Sequence, residues 1–132
     1  MIHSFNMKNT GKPYLTQSEN QIDGFEPIIA DSRAQQGVSN MSPSELMEAA
    51  LASCTNMTVS GVLRKRGIPY DDIFVDVSME TENGKTIITR TVRVISDAPE
   101  GDVKAAVERA KNCHLYKVLT GEIEVRDVNT AE

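Results

Sequence analysis

The stretch from Ser42 to Gly67, S-P-S-E-L-M-E-A-A-L-A-S-C-T-N-M-T-V-S-G-V-L-R-K-R-G, constrains the fold more than any other part of the chain. Ser42 can cap a helix, Pro43 suits the first helical position, and Glu45, three residues after the cap, completes a capping box. The other end is marked as clearly. Arg64, Lys65 and Arg66 complement the negative end of a helix dipole, and Gly67 can take the left-handed conformation that stops a helix. Between Leu46 and Leu63 the only full charge is Glu48, and the other polar residues are mostly small. The pattern predicts a helix buried on most sides, roughly 36 Å long at 1.5 Å per residue, forming the spine of the core. Cys54 lies midway along it.

A chain of 132 residues is long enough for one real core and short for two, so a single domain over 1–132 is expected. No apolar run approaches the ~20 residues of a membrane span. The N-terminus M-I-H-S-F-N-M-K lacks the apolar centre of a signal peptide, which makes the cytoplasm the expected compartment. A net charge of −5 with scattered basic residues argues against a nucleic-acid partner, because phosphate binding needs clustered Lys and Arg.

Along the chain, Ile2, Phe5 and Met7 alternate as candidate inward residues of a first strand. Asn9 to Lys12 reads as a turn, Pro13 to Thr16 as the second arm of a hairpin, and Asn20 to Gly24 as a further turn. Pro27 restricts a short strand through Ile28, Ile29 and Ala30 to an edge or a strand start. Residues 31–41 form a loop into the helix, and Arg33 within it reads as a solvated arginine. After Gly67 the period changes from 3.6 to 2. Ile73, Val75, Val77 and Met79 share one face of a strand; Asn83-Gly84 supplies a tight turn; the partner strand follows. On that strand Arg90 shares a face with Ile88, Val92 and Val94, where an arginine usually snorkels or pairs with a carboxylate. Asp97 to Glu100 opens an amphipathic helix with Val103, Ala106, Val107 and Ala110 on one side. Cys113 begins a further short helix closed by Gly121, and E-I-E-V-R-D-V reads as a last strand. The order describes an α+β fold in which antiparallel strands wrap a long buried central helix.

Metal chemistry is a poor fit. Cys54, Cys113, His3 and His114 lack any C-x-x-C or H-x-x-x-H spacing, so neither a metal nor another cofactor is expected. Gly-rich phosphate loops and G-x-S-x-G are absent too. Thiol chemistry fits better, because Cys54 sits among Ser53, Thr55 and Thr58 while Cys113 falls at a helix junction. The residues alone leave two readings open, reactive thiols or two inert buried fillers.

The string S-P-S-E-L-M-E-A-A-L-A-S-C-T-N-M-T-V, followed about sixty residues later by A-K-N-C-H-L-Y-K-V-L, resembles the osmotically inducible protein C and organic hydroperoxide resistance (OsmC/Ohr) family, and its S-C-T-x-M-T-V core the less characterised OsmC-like branch. The family pattern is roughly P-x-E-L-x-x-A-A-x-A-x-C on the central helix and A-x-x-C-P-V near the C-terminus. Cys54 and Cys113 occupy both cysteine positions. The resemblance implies an OsmC-like fold, an intertwined homodimer, and a peroxidase of the oxidative stress response. In it, Cys54 attacks an organic hydroperoxide and becomes a sulfenic acid, Cys113 resolves this as a disulfide, and a dithiol such as protein-bound lipoate reduces the disulfide. The family activates its helix cysteine with an arginine held by a glutamate, roles that carry over to Arg33 and Glu45. Two departures stand out: Ser44 occupies the usual glutamate position, with Glu45 beside it, and His114 replaces a proline. The alternative readings are a redox sensor working through a Cys54–Cys113 disulfide, or a dimer that holds a small apolar ligand.

Overall fold

A computed structural model describes residues 6–19, 24–33 and 39–131 of the chain. Ile2 and Phe5 lie outside the described residues, as does most of the turn expected at Asn20 to Gly24. The described elements are α+β, with three helices and two antiparallel sheets in place of the one expected. They belong to two compact units, Met1–Met47 and Glu48–Glu132.

In the first unit, β1 (Met7–Asn9), β2 (Thr16–Ser18) and β3 (Ile29–Ala30) form a sheet of order β1-β2-β3. The second arm falls later than the expected Pro13 to Thr16. Asn9 folds its side-chain oxygen onto the Gly11 N–H at 2.7 Å, an Asx turn that starts a longer loop, and Tyr14 sits at φ 62°, a conformation no strand accommodates. Register therefore begins at Asn9 opposite Thr16. β3 is an edge strand, consistent with Pro27 just before it. Met7 is exposed rather than inward, and Ala30 is the one buried residue among the described residues of this unit. The loop from Asp31 is closed at its ends by the Asp31 N–H donating to the Met41 carbonyl at 3.0 Å.

The central helix, α1, spans Pro43–Lys65. At its start Ser42 Oγ accepts from the Glu45 N–H (3.2 Å) while a Glu45 carboxylate oxygen accepts from the Ser42 N–H (3.0 Å), a complete capping box. At its end Gly67, at φ 68°, lets the Ile68 N–H reach the Leu63 carbonyl at 2.9 Å and the Gly67 N–H reach that of Arg64 at 3.1 Å. That pairing is the Schellman termination. Burial departs from expectation. Only Leu51, Thr55, Val59 and Leu63 are fully buried, a single stripe at four-residue spacing. The small residues between them leave the remaining faces half-exposed or exposed within one chain.

In the second unit, β4 (Asp72–Glu82) and β5 (Lys85–Ile95) pair from Asp72–Ile95 to Glu82–Lys85. Asn83 (φ 53°) and Gly84 (φ 77°) make the two-residue turn, whose positive φ values match the twist of the strands. One face of this hairpin packs on α1. The core joins Val59 and Leu63 to Ile73, and to Ala106 and Ala110 of α2 (Glu100–Ala110), with Val75, Val92, Val94 and Val107 partly buried against it. Asn56 donates to the Ile73 carbonyl at 2.9 Å and fixes α1 to β4. Lys111 caps α2, Cys113 is the N-cap of α3 (His114–Thr120), and Gly121 closes that helix.

The expected last strand does not form. Residues 122–130 are exposed and pair with no described strand, and Ile123, Val125 and Val128 are exposed. Alternation supplies strand propensity, but a strand exists only where another edge accepts its hydrogen bonds.

Candidate functional site

The four residues singled out in the sequence fall into two pairs. Arg33 and Glu45 form one: Arg33 Nε and Nη2 donate to the two carboxylate oxygens of Glu45 at 2.6 and 2.7 Å. This is the bidentate fork–fork geometry that favours arginine over lysine. It arises because the capping box holds Glu45 at the head of α1. The Arg33 bond first, then the Ser42 backbone and hydroxyl, lower the Glu45 carboxyl from its ordinary 4.5 to about 2.

The second pair is Cys54 and Cys113, both free thiols. Cys54 is half-buried on α1; Cys113 is 2% exposed, in the turn between α2 and α3. The Cys54 thiol is one of the groups that lower the Cys113 thiol. Thr55, next to Cys54 and fully buried, places its Oγ1 3.6 Å from the Cys113 Sγ. The i, i+4 spacing explains this placement: Thr55 belongs to the stripe of Leu51, Val59 and Leu63, so its hydroxyl is carried into the interior.

Arg90 completes the cluster, and sequence reasoning missed its role. Its Nη1 donates to Thr55 Oγ1 at 3.0 Å and lies 4.0 Å from Cys113 Sγ, while its guanidinium carbon sits 4.6 Å from the centroid of the Tyr116 ring. Among the described residues no carboxylate pairs with it. The signal was present in the strand pattern, where Arg90 shares the apolar face of Ile88, Val92 and Val94; that this face would meet a cysteine is decided by packing. Burial pushes the Cys113 thiol up, but the Tyr116 backbone N–H, the Thr55 hydroxyl, the Cys54 thiol and the Arg90 charge each pull it down, and the net direction is down.

Beside the cluster, Leu51, Ile88, Leu119, Arg90, Tyr116 and neighbouring threonines line a cavity of about 220 Å³. Among the described residues no group of three His, Cys, Asp or Glu side chains is placed to hold a metal ion, and no helix is long and apolar enough to cross a membrane.

Residues 35–126 match the sequence model of the OsmC-like protein family. Among solved structures, the fold is similar to an OsmC-like protein from Mycoplasma pneumoniae at TM-score 0.74 and 16% identity, covering 92% of this chain and 90% of that one. An OsmC-like protein of unknown function from Vibrio cholerae gives 0.68 and 19%, over 92% and 96%. The organic hydroperoxide resistance protein OhrB of Bacillus subtilis gives 0.63 and 20%, over 94% and 96%. No curated protein sequence matches the chain. With well over half of its length matched and both cysteine motifs in place, the chain belongs to the OsmC-like protein family.

Proposed function

We propose that the protein is a thiol-dependent peroxidase that reduces organic hydroperoxides in the cytoplasm, acting as a single-domain homodimer with a dithiol reductant. The observation that carries this reading is the surroundings of Cys113: Thr55, the residue after Cys54 on α1, places its hydroxyl 3.6 Å from the Cys113 sulfur, and the Arg90 guanidinium lies 4.0 Å from it. In the cycle, the Cys54 thiolate attacks the outer oxygen of the hydroperoxide. The O–O bond breaks, the alkoxide leaves and takes a proton as the alcohol, and Cys54 becomes a sulfenic acid. Cys113 then attacks the Cys54 sulfur, water leaves, and a disulfide forms, which the dithiol reduces while closing its own disulfide. Arg33, held by Glu45, is the candidate cation for Cys54. The OsmC/Ohr relationship, with a protein named for hydroperoxide resistance among the structural neighbours, supports a redox role of this kind.

Consumption of cumene or tert-butyl hydroperoxide with a dithiol reductant tests the proposal, with Cys54→Ser as control. Turnover by the native chain and its loss, by at least about a hundredfold, in Cys54→Ser is the expected result; equal rates in the two would sink it. The cavity beside Arg90 favours a second reading, in which the dimer holds a small apolar ligand and the cysteines only pack. Unreactive thiols and a ligand co-purifying with the protein would select that reading.

A further inference from the structure

Arg90 is a cation on an apolar strand face, and among the described residues no carboxylate pairs with it. Its charge is therefore not cancelled locally. The guanidinium lies over the Tyr116 ring, its Nη1 bonds Thr55, and the same nitrogen faces the Cys113 sulfur. Because Arg90 donates into Thr55 Oγ1, the Thr55 hydroxyl hydrogen is free to point at Cys113. A positive charge about 4 Å from a sulfur, together with a hydroxyl donor, favours the thiolate over the thiol.

We propose that Arg90 and Thr55 form an anchor that holds Cys113 as a thiolate, so that Cys113 is the leaving sulfur when reductant opens the Cys54–Cys113 disulfide. The second half of this statement rests on the two-cysteine cycle proposed above; the first half does not. In that opening step, a reductant thiolate attacks the Cys54 sulfur, which is the more accessible of the two. The sulfur–sulfur bond breaks, its electron pair goes to Cys113, and the new thiolate is received by Arg90 and Thr55. The mixed disulfide on Cys54 is then released by the second thiol of the reductant, which is oxidised to its disulfide while Cys54 recovers its electrons. Leaving-group stability governs which sulfur departs in such exchanges. The same anchor presents a ready thiolate to the Cys54 sulfenic acid in the forward direction.

The groups able to influence Cys113 from each surrounding element are few. Among the described residues they are Cys54 and the Thr55 hydroxyl from α1, Arg90 from β5, and the Tyr116 backbone from α3; Lys111, after α2, is bound to Glu108 and its ammonium responds to Arg90 and Tyr116.

The test follows the pH dependence of iodoacetamide alkylation at Cys113 in the Cys54→Ser chain, read by peptide mass spectrometry, which needs no peroxidase turnover. Arg90→Met is expected to move the midpoint upward by about one pH unit, slowing alkylation near neutral pH about tenfold, whereas Arg90→Lys retains most of the native profile. Thr55→Val moves the midpoint in the same direction by less. An unchanged midpoint in Arg90→Met, or equal shifts in Met and Lys variants, overturns the anchor. For the leaving sulfur, the oxidised native chain is opened with 2-mercaptoethanol, quenched in acid and mapped. An adduct mainly on Cys54, with that bias lost in Arg90→Met, is expected; an adduct mainly on Cys113, or an even distribution, overturns it. Loss of peroxidase activity in every assay with the alkylation profile intact would remove the cycle and leave the anchored thiolate standing.

Discussion

At the scale of single residues, the two polar clusters differ in what holds them. Glu45 is shared between a helix cap and Arg33, and its carboxyl is lowered to about 2 chiefly by the arginine bond. A group whose folded-state value is depressed contributes stability above its unfolded value and loses it as pH falls toward the folded one. The cap is therefore expected to hold fully above the ordinary 4.5 and to weaken between there and about 2. The protection of the Ser42 and Glu45 amides, measured as exchange relative to the intrinsic rate at each pH, should fall over that acid window, and Glu45→Gln should flatten the response; a flat native protection profile would contradict it. Both partners are solvent-accessible, so salt should weaken the pair. The capping box was legible from Ser42 and Glu45 alone because its geometry is local. The Arg90–Thr55–Cys113 cluster was not, since it joins residues 35 and 58 positions apart.

Among elements, α1 shows how far local rules reach. Both of its ends follow from the residues placed there, and each is satisfied by hydrogen bonds within a few positions. Gly67 is the clearest case: a Cβ built there meets no atom within 4 Å, so the cost of a side chain is backbone strain alone. Gly67→Ala should lower stability by about 1 kcal/mol, with Gly67→Asn costing less, as checked by urea unfolding. The β4–β5 hairpin was equally legible, because period-2 alternation and Asn83-Gly84 fix register together. The tail from Glu122 shows the opposite. Its alternation is as good as that of a strand, yet no described strand pairs with it.

For the whole molecule, exposure argues for a partner copy. Met57, on α1 opposite the buried stripe, is 69% exposed, and Val128 in the tail is 92% exposed. The first unit buries only Ala30 among its described residues, while a small sheet needs an apolar face covered to persist. A partner copy of the chain is proposed to cover these residues. The chain is expected to sediment at twice its 14.5 kDa mass, and Met57→Lys should shift it toward the monomer at low concentration. A native monomer across the concentration range would refute the homodimer.

The two cysteine motifs pointed to the family, and the residues by themselves determined the α+β class, the limits of α1, the β4–β5 register and the helix beginning after Cys113. Each of these structural features depends on capping, turn chemistry or periodicity, which act over a few residues. Only the tertiary structure decided that α1 buries a single stripe, that Thr55 rather than another hydroxyl faces Cys113, and that Arg90 is the cation there. Those outcomes depend on which faces meet, and side chains distant in sequence acquire their partners only through packing.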